Sequence, residues 1–176
     1  MLKKFLPKDY VKSIYEITPE LLKERNIKGI ITDLDNTLVE WDRPLATPKL
    51  TQWFKNMSDH GIHVVIVSNN NEKRVHAFAE PLGIRYIYKA QKPIGKAFRK
   101  ALAMMDLQKE ETVVIGDQLL TDILGGNRSG FHTILVVPVA QTDGWMTRIN
   151  RSIERKLLKW FDKKGLLHWE GSSSGK

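Results

Sequence analysis

No cysteine occurs in the 176 residues, which excludes disulfide bridges and thiolate metal sites. Long apolar runs are also missing: residues 64–67 and 133–140 fall far short of a bilayer-spanning helix. The basic start, Met1-Leu2-Lys3-Lys4-Phe5-Leu6-Pro7-Lys8, lacks the apolar core and small-residue cleavage site of a secretory signal, so a cytoplasmic location is expected. Acidic residues are outnumbered, 20 against 28 Lys and Arg, for a formal net charge of +8. That excess sits entirely at the two ends. Residues 1–12 carry four lysines against Asp9, and residues 147–164 carry seven basic residues against Glu154 and Asp162. The remainder is formally neutral, so affinity for an anionic surface belongs to the ends.

What is present reads as α/β. Apolar, β-branched runs at residues 27–32, 63–67, 112–115 and 133–137, with a weaker one at 84–88, alternate with helical patterns. Such alternation predicts a three-layer, doubly wound parallel sheet with both faces covered. Thr18-Pro19 and Thr47-Pro48 place a capping hydroxyl before a first-turn proline, and Gly61 closes the second of these helices. Trp53 belongs to the core face of that helix. Pro93 is expected to open a helix through Phe98 and Met105, and residues 119–127 to form a short one ended by Ser129-Gly130. One domain over residues 1–170 is expected, with a flexible tail at 171–176. Ile149, Ile153, Leu157 and Phe161 recur every fourth residue among basic ones, predicting a basic amphipathic helix over about 147–164. Its apolar face suits either an anionic membrane or the domain's own sheet.

The chemically suggestive residues all follow strands, at the edge where open α/β sheets bind ligands. Asp33-Leu34-Asp35-Asn36-Thr37 follows the first strand and sets two carboxylates two residues apart, on one side of an extended backbone. Such close like charges call for a cation. Ser68-Asn69-Asn70 offers a hydroxyl and backbone N–H groups ahead of a helix, a suitable cradle for phosphate oxygens. Lys92 precedes Pro93, and Gly116-Asp117 with Asp122 follows the strand at 112–115. Each has a bland reading alone: an acidic turn, a helix cap, a solvated lysine, a capping aspartate.

Together, in this order, these segments resemble the four successive motifs of haloacid dehalogenase (HAD) superfamily phosphatases, across residues 30–122. The resemblance implies that Asp33 is the nucleophile, forming an aspartyl phosphate, and that Asp35 is the general acid and base. It implies Mg²⁺ held by Asp33, the Asp35 backbone carbonyl and Asp117, with Asp122 supporting that set. Lys92, Thr37, Ser68 and Asn69 would hold the phosphoryl oxygens. Asp35 argues for phosphate-ester hydrolysis, because relatives that release a halide lack this second aspartate. A response-regulator domain, which pairs adjacent acids after its first strand and carries its phosphoacceptor after the third, fits less well.

Only a helix and a strand fit between Thr37 and Ser68, and likewise between Ser68 and Lys92, so no cap domain is expected. An open site suits a large or membrane-embedded substrate, or an oligomer in which a neighbouring subunit supplies the lid. Trp41, Arg43 and Trp145 are candidates for the mouth of the site. The whole chain, including Phe5-Leu6-Pro7 and Thr142-Asp143-Gly144, resembles the bacterial YqeG branch of HAD subfamily IIIA, related to phosphatidylglycerophosphate phosphatases. That resemblance implies a lipid phosphomonoester as substrate and peripheral contact with the inner face of the cell membrane. The alternatives are a soluble sugar phosphate, nucleotide or phosphoprotein as substrate, or an RNA- or ribosome-associated role. No RNA-binding motif supports the last.

Overall fold

The computed structural model describes residues 2–140 and 145–166, and the side chains of residues 3–140 and 152–166. Trp145's side chain, Thr142-Asp143-Gly144 and the 171–176 tail therefore lie outside the described residues. Among the described residues, six strands and six α-helices run in the order β1 (Asp9–Val11), α1 (Pro19–Glu24), β2 (Gly29–Thr32), α2 (Pro48–Asp59), β3 (His63–Val67), α3 (Glu72–Ala79), β4 (Arg85–Ile87), α4 (Lys96–Met105), β5 (Thr112–Gly116), α5 (Leu124–Ser129), β6 (His132–Val136) and α6 (Trp145–Lys163). The strands form one parallel sheet ordered β1-β6-β5-β2-β3-β4. β2 stands between β3 and β5, with Thr32 level with Ile66 and Ile115. The loops after these three strands thus open side by side.

Alternation along each strand divides the core. Ile30, Ile66 and Ile115 face α2 and α3, against Trp53, Phe54, Met57 and Phe78. Ile31, Val65 and Val114 face α4, against Phe98, Ala101 and Met105. Threonine hydroxyls cap α1 and α2 as expected, Thr18 accepting from Leu21 N–H and Thr47 from Leu50 N–H. Trp53 is buried and its indole N–H donates to the Ile17 carbonyl. No cap is inserted: between Thr37 and Ser68 lie only α2 and β3, and between Ser68 and Lys92 only α3, a 3₁₀ turn and β4.

Besides a strand that the sequence pattern does not mark, three expectations need correction. The basic amino-terminal segment contains a strand, β1, paired with β6. α4 begins at Lys96, three residues beyond Pro93, and the segment after β5 starts with a π-helical turn, Leu119–Ile123, before α5. On α6 Phe161 and, partly, Leu157 pack inward as expected, joined by Glu154 and Leu158, while Ile153 is 47% exposed. Leu158 and Phe161 pack on Leu119, Ile123 and Leu135, with Phe5 and Leu6 beside them. The helix therefore grips the turn that follows β5.

Candidate active site

At the carboxyl edge of β2, β3 and β5 the chain brings together Asp33, Lys92, Asp117 and Asp122, all buried. Lys92 Nζ lies 2.7 Å from Oδ1 of Asp33 and 2.7 Å from Oδ1 of Asp122. Burial by itself would lower the lysine, but Asp122 and Asp33 outweigh it and hold the ammonium charged well beyond its usual range. Burial pushes Asp122 up to about 6, against the pull of Lys92. Carboxylate oxygens of Asp33, Asp117 and Asp122 lie within 4.8 Å of one another, one oxygen from each. One lysine cannot neutralise three clustered carboxylates, so this donor set fits a hard divalent cation.

The supporting contacts explain the residue types. Asp122 Oδ1 meets Lys92 and Oδ2 accepts the Gln118 N–H at 3.2 Å, so this carboxylate braces the site from behind. Glycine at 116 makes room for it, since a Cβ there would overlap the Asp122 carboxylate. Thr37, expected at the phosphoryl oxygens, is fully buried and donates to Asp117 Oδ1 at 2.8 Å. The Asn69 side chain clamps Lys92: its Oδ1 accepts the Lys92 N–H at 2.7 Å and its amide donates to the Lys92 carbonyl at 3.3 Å. Ser68 is buried at the end of β3, and its Oγ accepts from Asn70 N–H.

Asp35 is turned away from the carboxylate cluster. Asn70 Nδ2 donates to its Oδ2 at 2.9 Å, and Arg74 donates from Nε and Nη2 to its Oδ1 at 3.0 and 2.8 Å. Burial raises the Asp35 carboxyl above the usual carboxylate range, opposed by the Asn70 hydrogen bond and the Arg74 charge and reinforced by Asp33. Its carboxylate is not one of the three that cluster, and its side chain is 19% exposed. Trp41 is 44% exposed, and Arg43 pairs with Glu40 at 2.6 Å.

Two residues carry no signal in the sequence pattern. Arg74 is one basic residue of a polar helix, and only the fold shows that it meets Asp35. Glu154 reads as one of two acids on a basic helix, yet it is buried and its Oε1 accepts the Leu120 N–H at 3.1 Å. Leu120 lies in the first turn of the π-helical segment, whose N–H groups lack partners within the turn. π-Helical turns are frequent at functional sites. Glu154 thus ties α6 to the segment that carries Asp122.

Residues 30–92 match the family model of haloacid dehalogenase-like hydrolases, and residues 89–145 match a HAD-hydrolase-like model. The chain is 67% identical over 171 residues to the "Probable phosphatase YqeG" of Bacillus subtilis (strain 168), covering 97% of this chain and 99% of that protein. It is 29% identical over 172 residues to phosphatidylglycerophosphate phosphatase 1, chloroplastic/mitochondrial, of Arabidopsis thaliana, covering 92% of this chain and 49% of that longer protein. Among solved structures, a subfamily III A HAD hydrolase from Legionella pneumophila superposes with a TM-score of 0.54 at 24% identity, over 69% of this chain and 72% of that one. A 3-deoxy-D-manno-octulosonate 8-phosphate phosphatase from Moraxella catarrhalis, solved with magnesium and phosphate ions, gives 0.55 at 16% identity, over 84% and 97%. The two structures share the fold with this chain. With 67% identity to the Bacillus subtilis protein across nearly the whole of both chains, the chain belongs to the YqeG branch of the haloacid dehalogenase superfamily, as a capless phosphatase.

Proposed function

We propose that the protein hydrolyses the phosphomonoester of an anionic phospholipid, phosphatidylglycerophosphate, through an aspartyl-phosphate intermediate. Asp33 attacks phosphorus, and the alcohol leaves with a proton from Asp35. Asp35 then takes a proton from the water that cleaves the acyl phosphate. Lys92 and Ser68, with the N–H groups of the two loops, hold the phosphoryl oxygens as charge spreads over them. Asp33, Asp117 and the Asp35 carbonyl would hold Mg²⁺, with Asp122 supporting them; when bound, it offsets the repulsion between Asp33 and the incoming phosphate.

The lipid reading rests on one observation above others: the segments that follow the strands of the uncapped sheet edge carry exposed apolar side chains. Of the eight large hydrophobic residues exposed among the described residues, five stand on segments that follow strands at the site's edge: Trp41 and Leu45 after β2, Tyr88 and Ile94 after β4, and Val139 after β6. Val139 N–H donates to the Asn36 carbonyl, which ties its segment to the Asp33 loop. Scattered exposed apolar residues need no explanation, but their concentration on these loops does, and Trp41 N–H also donates to Asn36 Oδ1 beside Asp35. The outward face of α6 adds Lys156, Lys159 and Lys163, with Ile153 and Trp160 along one flank, as on helices that lie on anionic membranes. No helix among the described residues is long and apolar enough to cross a membrane. The 29% identity to the plant phosphatidylglycerophosphate phosphatase points to the same substrate.

The test is Mg²⁺-dependent phosphate release from liposomes containing phosphatidylglycerophosphate, set beside a panel of soluble sugar and nucleotide monophosphates. A kcat/KM at least about tenfold higher on the lipid is expected, as extra contacts with the leaving group predict. Turnover of soluble esters with none on the lipid would refute the lipid reading.

Glu154 yields a separate prediction. Glu154→Ala removes the acceptor for Leu120 N–H, at a cost of about 1 kcal/mol by analogy with helix caps. Because the loosened turn carries Asp122, the Mg²⁺ concentration for half-maximal activity should rise several-fold. Glu154→Gln, which keeps an acceptor oxygen, should lie close to wild type in a magnesium titration.

A further inference from the structure

We infer that Arg74 is the recognition site for a second anionic group, a phosphodiester, on the substrate's leaving group, and that this group takes over the guanidinium when Asp35 turns to the scissile oxygen. The inference rests on the phosphatase chemistry proposed above. In the structure Asp35 is held sideways, its Oδ1 sitting in the fork made by Nε and Nη2 of Arg74. To protonate a leaving oxygen, Asp35 must come within hydrogen-bond reach of it, and the fork must then open.

Arginine keeps its charge throughout, and this one has a side chain only 14% exposed. A partly buried cation that loses its partner is costly, so the swing of Asp35 is opposed unless another anion arrives. A neutral leaving group provides none. A leaving group with a phosphodiester one glycerol unit away does, and its two non-bridging oxygens suit the planar fork that Asp35 vacates.

Arg74 is also set in place independently of Asp35. Its Nη1 donates to the Pro44 carbonyl at 3.3 Å and its Nη2 to the Glu40 carbonyl at 3.5 Å, while the guanidinium lies 5.8 Å from the ring centroid of buried Phe78. Those two carbonyls belong to the loop that carries exposed Trp41 and Leu45. The guanidinium therefore joins the acid that serves the leaving group to the loop that bears Trp41 and Leu45. Arg43, the neighbouring cation on that loop, is already paired with Glu40.

Two soluble probes isolate the effect: glycerol 3-phosphate, whose leaving group is neutral, and glycerophosphoglycerophosphate, the deacylated headgroup, whose leaving group carries the diester. Wild type should favour the second by about tenfold or more in kcat/KM, the worth of one charge-assisted contact. In Arg74→Gln that ratio should fall to near one, and in Arg74→Lys, which keeps charge without the fork, it should lie between. A ratio near one in wild type, or one unchanged in Arg74→Gln, overturns the inference. A second measurement needs only wild type: glycerophosphoglycerol should inhibit hydrolysis of glycerol 3-phosphate competitively where glycerol does not, and equal failure of both overturns it. Absence of phosphate release from every probe by wild type would instead sink the phosphatase reading, and the inference with it.

Discussion

Asp33→Asn is expected to reduce Mg²⁺-dependent phosphate release by about 10⁴-fold or more, as removal of a nucleophile does in other covalent hydrolases. The loss should be chemical and not structural. Asparagine has nearly the same shape and keeps an acceptor oxygen for Lys92, which retains its ion pair with Asp122. Removing one of three clustered carboxylates also relieves repulsion, so the melting temperature without metal should be unchanged or raised. Rapid quench with substrate labelled in the phosphate should leave label on wild type and none on the variant. Activity within tenfold of wild type would show that Asp33 is not the nucleophile.

Lys92→Met should instead damage both stability and catalysis. The ammonium lies 2.7 Å from carboxylates on two different loops, and its side chain is 3% exposed. Without it, Asp33 and Asp122 lose the ammonium that sits between them. Breaking a buried pair in this way costs about 3–5 kcal/mol, a drop of roughly 10 °C in melting temperature for a chain of this size. The full drop should appear in EDTA, and Mg²⁺ should recover part of it by supplying positive charge to the same carboxylates. Turnover should remain down by about 10²–10³-fold at saturating metal, because the phosphoryl oxygens have lost a fixed cation. Identical melts for wild type and variant in EDTA would mean that Lys92 does not hold the acids together.

Asp33, Asp35, Ser68, Lys92 and Asp117 are legible in the sequence because each follows a strand or opens a helix, and a parallel sheet brings such positions to one edge. Arg74 and Glu154 are not, since each lies on a helix among other charged residues and acquires its role from a partner 39 or 34 residues away. On α6 Leu157 and Phe161 pack inward but Ile153 does not, for a geometric reason. Residues spaced by four advance about 40° beyond a full turn at each step, so four of them spread over about 120°. The stripe through Ile149, Ile153, Leu157 and Phe161 therefore drifts around the helix. The face that packs runs through Glu154, Leu158 and Phe161, with Leu157 partly buried and Ile153 left outside. β1 escaped notice because it has three residues and only half-buried side chains, and it exists through its pairing with β6.

The sequence by itself determined the alternation of strands and helices, the absence of a cap and the identity of the acids and the lysine at the sheet edge. Periodicity, short connections and residue chemistry are local properties. Tertiary structure alone decided which partner each side chain takes: Thr37 with Asp117, Asn69 with the Lys92 backbone, Arg74 with Asp35, Glu154 with the turn after β5. It also brought the segments of Trp41 and Val139 together on Asn36, although they are remote in the chain. Hydrogen-bond partners and surface patches depend on distances between segments remote in sequence, which no local pattern encodes.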